Sequence, residues 1–112
     1  MNYDASFDHT RLNQLTEQLL SGTEISGEIL FIADKEEIGI LGATWRFESE
    51  DIGILKDRNY KFMLMELLDS LIRYRASHKS TDSLCGVVRL EKSRADMQWL
   101  PEADVQRLRF AD

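Results

Sequence analysis

The sequence has little cysteine, proline or glycine, and it has no long apolar run. A single cysteine among 112 residues leaves no internal disulfide, which is typical of a reducing compartment. One proline and six glycines leave little room for a disordered linker. The longest apolar block, Tyr60–Ile72, is interrupted by Lys61, Glu66 and Asp69 and is shorter than the roughly 20 apolar residues of a membrane span. The first residues also lack a secretory signal, so we expect one cytoplasmic domain without a membrane segment.

Catalytic and metal-binding signatures are also missing. His9, His78 and Cys85 are scattered, and no C-x-x-C or H-E-x-x-H spacing occurs. There is no G-x-S-x-G motif, and Cys85 lies in an apolar stretch typical of an inert core thiol. The glycines of GILGATW are not followed by the Lys-Ser/Thr pair of a phosphate loop. We therefore expect no metal, no cofactor and no enzymatic activity.

Basic residues are in deficit, with 14 Lys and Arg against 20 Asp and Glu, a net charge of −6. A nucleic-acid-binding domain usually shows a basic patch, so nucleic acid is not the expected partner. The deficit belongs to one half of the chain, because residues 1–57 contain 12 acidic and 4 basic side chains, whereas residues 58–112 contain 8 and 10. The sequence predicts an acidic face contributed by the amino-terminal half.

Apolar spacing predicts two main helices. Leu12, Leu15, Leu19 and Leu20 recur with helical period after Asp8 or Thr10 as N-cap, and Ser21-Gly22 ends this first helix. A longer helix is predicted to begin near Asp57, also as an N-cap. Its apolar arc covers about half of the circumference, which predicts a central helix in contact with a sheet and with the first helix.

Four short strands are predicted around these helices: Glu28–Ala33, Ile38–Phe47, Leu84–Glu91 and Ala95–Leu100. The stretch ESEDIGILKD is read as either a third short strand or a buried loop. Pro101 suits the first turn of a short closing helix. The order of elements favours a single α+β domain, with an antiparallel or mixed sheet of four to five strands packed against one long central helix and an N-terminal helix.

Two acidic groups flank the second predicted strand. The segment DKEE contributes Asp34, Glu36 and Glu37, and ESED contributes Glu48, Glu50 and Asp51. Both flank strands in predicted turns, so we interpret them as solvated or partner-facing rather than catalytic.

Two aromatic side chains are candidate contacts for the same partner. Trp45 stands next to the second acidic group, and Phe62 falls in the polar arc of the long helix. Core packing is the more frequent outcome for Trp45, and incidental exposure or packing under a loop for Phe62. The alternative for each is an apolar anchor among carboxylates that engages a surface rich in Lys and Arg.

In size, charge and element order, with DKEE and ESED beside TWRF, the chain resembles the small immunity proteins of bacterial toxin and contact-dependent growth inhibition systems. The resemblance implies a stoichiometric inhibitor, monomeric or weakly dimeric, that covers the active site of a basic nuclease toxin. It implies that the carboxylates of this chain occupy positions that phosphates would fill. The partner-binding residues it predicts are Asp34, Glu36, Glu37, Trp45, Glu48, Glu50, Asp51 and Phe62.

A second hypothesis is a small-molecule-binding or regulatory domain. On the second strand, Ile38, Ile40 and Thr44 share one face, which this hypothesis assigns to a homodimer interface. The same hypothesis predicts an enclosed apolar pocket lined by Met63, Met65 and the strands.

Overall fold

A computed structural model describes residues 5–34, 36, 39–78 and 83–109. These residues form one compact α+β domain, as predicted. In chain order the elements are α1 (Ala5–Leu20), β1 (Gly27–Asp34), β2 (Gly39–Arg46), α2 (Ser49–Asp57), α3 (Tyr60–His78), β3 (Cys85–Glu91), β4 (Arg94–Leu100) and α4 (Glu102–Arg109). Within the described ranges, no helix is both long and apolar enough to cross a membrane.

The strands form one antiparallel sheet in the order β2-β1-β3-β4. The two inner strands, β1 and β3, are the most apolar. Different helices pack on the two edge strands. Helices α1 and α3 cover one face, with α1 packed on β4 and α3 packed on β2, while α4 crosses β1 and β3 on the other face.

The main core lies between the sheet and the two long helices. Alternate residues of β1, namely Ile29, Phe31 and Ala33, face this core, and the residues between them face α4. The helices contribute leucines at helical spacing that are completely buried, Leu64 and Leu68 among them. A smaller cluster on the opposite face joins α4 to the sheet and contains Leu30, Ile32, Cys85, Val87 and Val105. Cys85 is buried there, as its apolar surroundings predicted.

The stretch read as a strand or buried loop is in fact a helix, α2, and Asp57 is its last residue rather than the N-cap of the long helix. Helix α3 begins only at Tyr60. Between them Asn59 adopts the left-handed conformation (φ 61°), which asparagine tolerates better than most residues and which ends α2. The missed signal was charge polarity, with Glu50 and Asp51 in the first turn and Lys56 in the last.

The predicted N-cap of the first helix was also wrong. Helix α1 already includes Ala5, so Asp8 and Thr10 both lie inside it. Asp8 is buried, and its Oδ2 accepts a hydrogen bond of 2.8 Å from Nε1 of Trp99 on β4. A short polar side chain before an apolar run predicted a cap, but tertiary pairing with the indole explains its presence instead.

Strand β2 does not alternate regularly, so the face expected for a homodimer does not form. Its register against β1 shifts, with Gly42 opposite Ile32 but Ile40 opposite Ala33, which makes Leu41 the extra residue of a bulge. Ile40 therefore packs on the helix-side core, whereas Thr44 bonds to Arg109 of α4 on the other face. Ile38 lies outside the described residues.

A hydrogen-bonded chain in the core links α3 to α1. Thr16 Oγ1 donates to the carbonyl of Leu12 at 2.8 Å, and the Tyr60 hydroxyl lies 2.8 Å from the same oxygen. Because the Thr16 proton is already used, the Tyr60 hydroxyl is the donor to Thr16. Tyr60 is fully buried, and its burial raises its pKa from 10.0 to about 12.

We expect this pKa shift to make folding stability fall at alkaline pH. The stabilisation is complete below about pH 10, where the unfolded tyrosine is also protonated, and it is lost as the pH rises toward 12. Two pKa units correspond to about 2–3 kcal/mol. Urea unfolding between pH 8 and pH 11.5 should therefore show a steeper fall for the wild type than for Tyr60→Phe, which should itself lose about 1 kcal/mol at neutral pH. Parallel curves would contradict the burial of this hydroxyl.

Candidate protein-binding edge

The predicted acidic residues lie at the two ends of strand β2. Asp34 and Glu36 stand at the β1–β2 connection, and Glu48, Glu50 and Asp51 lie at the start of α2, just after β2 ends. The first and last of the eight residues of β2 lie about 23 Å apart, over seven steps of about 3.3 Å, and the two groups lie beyond these ends. Glu37 lies outside the described residues. The carboxylates therefore flank one strand at its two ends instead of forming a single continuous patch.

Within the described ranges, these five carboxylates form no ion pair. Ion pairs of the described residues involve other acids: Glu28 with Arg46 and Arg89, Asp69 with Arg73, Asp104 with Arg107, and Asp96 with His9. Asp34 only accepts the backbone N–H of Glu36, at 2.8 Å, in a local turn. Among the described residues, the ion pairs therefore involve acids other than the five at the ends of β2.

The position of the second acidic group follows from the helix that it begins. Glu48 is the N-cap of α2 but makes no side-chain capping bond, while Glu50 and Asp51 occupy the first turn. Negative side chains at this end interact favourably with the helix dipole, typically by about 0.3–1 kcal/mol each. The group therefore has a structural role within α2, whatever its role in binding.

Trp45 lies between the sheet and α3, near the second acidic group. It is half-buried against the helix-side core, beside Phe47, and the ammonium nitrogen of Lys61 lies 5.6 Å from its ring centroid. The next residue of α3, Phe62, is 59% exposed. Trp45 is therefore partly a core residue and partly surface, and Phe62 is a surface aromatic at the same end of α3.

The α4 side of the sheet carries a row of paired charges. Glu28 of β1 lies between Arg46 of β2 and Arg89 of β3, at 3.5 and 3.6 Å. Arg46 also donates to the carbonyls of Leu108 and Arg109 at the end of α4, where it satisfies terminal helix carbonyls. The row lies at the same end of β2 as the second acidic group, because Arg46 is the last residue of that strand. Counting acids along the chain did not give one acidic face, since Glu28 is paired with two arginines and the two acidic groups lie at opposite ends of β2.

An open groove lies at the end of the sheet that carries Asp34. It has a volume of about 900 Å³, and its lining includes Asp34, Glu36, Arg75, Ser83 and Trp99. The Arg75 guanidinium stacks over Trp99, 4.6 Å from the ring centroid, and its Nε donates to the carbonyl of Ser83 at 2.7 Å. Arg75 is thus held by the fold. Met63, which was predicted to line an apolar pocket, lies instead in a shallow cleft between α1 and α3.

Among the described residues, no three His, Cys, Asp or Glu side chains converge as metal ligands. Comparisons with protein-family models, curated proteins and solved structures give no match. The functional assignment therefore depends on the chain's own residues.

Proposed function

We propose that this protein is a stoichiometric inhibitor of the immunity-protein type, which binds and neutralises a basic protein toxin in the cytoplasm and does not act as an enzyme. The observation that carries the proposal is the pair of acidic groups, free of ion pairs in the described part of the chain, at the two ends of one edge strand. Glu36, Glu48 and Glu50 are exposed, and Asp34 and Asp51 are partly buried. A nuclease is the class of toxin we propose, because an active site that binds phosphates also attracts carboxylates.

The chemistry of the edge suits a cationic protein surface. The carboxylates provide long-range attraction, and Phe62 and the exposed part of Trp45 provide apolar anchors nearby. Close charge pairs at protein interfaces couple by about 1.5–7 kcal/mol, which is enough for tight inhibition.

The test uses the protein encoded directly upstream of this chain, because an immunity gene normally follows the gene of its toxin. We call this protein the candidate toxin. Its expression alone should arrest growth, and co-expression with this chain should restore growth. Size-exclusion chromatography with light scattering should show a 1:1 complex of the two purified proteins. A candidate toxin that arrests growth equally with and without this chain, and does not bind it, would refute the proposal.

A second candidate function is small-molecule binding in a regulatory domain, favoured by the groove beside Arg75 and Trp99. Native mass spectrometry separates the two functions. The inhibitor should appear as a ligand-free monomer, whereas a regulatory domain should retain a small molecule or form a stable dimer.

A further inference from the structure

A hydrogen-bonded contact at the opposite edge shows which backbone groups of the sheet point outward. Asn13 of α1 donates from Nδ2 to the carbonyl of Ala95 at 3.0 Å, and its Oδ1 accepts the N–H of Ala95 at 3.1 Å. Both backbone groups of Ala95 therefore point away from β3. Ala95 and the residue opposite it, Leu90, form a non-hydrogen-bonded pair, so the backbone groups of Leu90 point toward β1.

The alternation can then be followed across the sheet to β2. Leu90 lies opposite Gly27, which therefore directs its groups toward β3, and the next residue, Glu28, directs its groups toward β2. Along β1 every second residue from Glu28 bonds to β2, and the partners of these residues are Arg46, Thr44 and Gly42. The residues between them, Ala43 and Trp45, consequently present N–H and C=O groups at the outer edge.

The outward backbone groups of the two edge strands differ in whether they are hydrogen-bonded. At β4, Asn13 occupies both groups of Ala95, and the Asp96 carboxylate accepts the N–H of Met97 at 2.9 Å. In the part of the chain that the structure describes, no hydrogen bond reaches the outward groups of Ala43 or Trp45. An open strand edge is a template for another strand, and proteins usually block such edges.

The charges at the ends of β2 decide what kind of strand suits this edge. Antiparallel pairing with a second copy of β2 would place the Asp34 and Glu36 end of one copy beside the Glu48 and Glu50 end of the other. Parallel pairing would also place like charges together. Since neither arrangement brings opposite charges together, the edge favours a foreign strand with basic residues at both ends.

We propose that the partner adds one extended strand to β2, as a fifth strand of the sheet, by hydrogen bonding to Ala43 and Trp45. Lys or Arg residues at the ends of that strand would face the two acidic groups. Regular pairing would run over Gly42–Arg46, because the bulge at Leu41 interrupts the ladder beyond. The inference rests on the proposed function, because it assigns the strand to the basic toxin.

The test measures amide hydrogen exchange by NMR with two synthetic peptides as probes. One is KKVTVTVKK, and its matched control, EEVTVTVEE, has the same strand-forming centre with acidic ends. In the free protein, the Ala43 and Trp45 amides should exchange quickly and those of Gly42 and Thr44 slowly. At about 1 mM the basic peptide should slow exchange at Ala43 and Trp45 at least about tenfold, and the acidic peptide should not.

Equal exchange with and without the basic peptide would overturn the inference. Protection that appears at high protein concentration without peptide would also overturn it, because it would identify a second copy of this chain as the occupant.

A variant separates this inference from the proposed function. Ala43→Pro removes the outward N–H but none of the donors that bond to β1, and the control Ala43→Ser keeps that N–H. If the two variants have the same melting temperature, Ala43→Pro should bind the candidate toxin at least about tenfold more weakly than Ala43→Ser. Equal binding by both variants would refute strand addition while leaving the inhibitor proposal intact.

A toxin that fails to bind the wild type would refute the inhibitor proposal, and the peptide experiment would still decide whether the β2 edge accepts a strand. If Ala43→Pro does not fold, the exchange measurement on the wild type decides whether a strand is added.

Discussion

The double variant Glu48→Lys/Asp51→Lys should bind the candidate toxin at least about tenfold more weakly than the wild type. Both side chains lie beside the end of β2, and among the described residues neither forms an ion pair. Their reversal replaces attraction to a cationic surface by repulsion. Stability should fall by only about 1–2 kcal/mol, because each reversal replaces a favourable interaction with the dipole of α2 by an unfavourable one. Isothermal titration calorimetry and thermal unfolding measure the two effects separately.

The matched control for this variant is Glu17→Lys/Glu91→Lys. It makes the same change in net charge, but Glu17 lies on α1, which packs on the opposite edge strand β4, and Glu91 lies at the end of β3, two strands away from β2. It should retain most of the affinity. Equal losses in the two double variants would show that only net charge matters, and unchanged affinity in the first would remove Glu48 and Asp51 from the binding site.

Gly86→Ala should destabilise the fold by about 2 kcal/mol or more. A Cβ at this position would lie 2.4 Å from the backbone oxygen of Gln98 and 3.0 Å from Cζ of Phe31. Gly86 lies beneath the edge-to-face pair of Phe31 and Trp99, whose ring centroids are 5.6 Å apart. The backbone of β4 cannot yield as a flexible side chain would, so strand pairing and the aromatic contact are both disturbed.

Gly53→Ala is the control, for which the expected change in folding stability has the opposite sign. Gly53 lies exposed within α2, and an added Cβ meets nothing within 4 Å. Alanine should therefore stabilise the helix by about 0.5–1 kcal/mol. Urea unfolding of both variants measures the difference, and a Gly86→Ala protein as stable as the wild type would contradict the close approach of β3 and β4.

Strands β1 and β3 were predictable because their apolar runs are short, bounded by polar turns and rich in Ile, Leu and Val. The α+β class followed from their grouping around two helical patterns. Helix α2 was not recognised, since Gly53 and the run of Ile52, Ile54 and Leu55 resembled a strand or a loop. Acids in the first turn and a lysine in the last were the available signal for a helix.

Features of the site that depend on tertiary pairing were beyond the sequence. Nothing local distinguishes Asp8 as the partner of the Trp99 indole, 91 positions away, from an N-cap aspartate. The separation of the acidic groups likewise depends on β2 being extended between them, and the bulge at Leu41 depends on its register against β1. Phe62, by contrast, was identified as exposed from the helical period alone, although its role as a contact remains a prediction.

The most direct measurement is the affinity of the candidate toxin for three charge-reversed proteins: Glu36→Lys, Glu48→Lys and their combination. If a partner strand lies along β2 and both acidic groups bind it, each single change should weaken binding. The combined change should weaken it by about the product of the two single effects, since well-separated sites add in free energy. Wild-type affinity in the combined variant, with its melting temperature unchanged, would show that the toxin does not bind this edge.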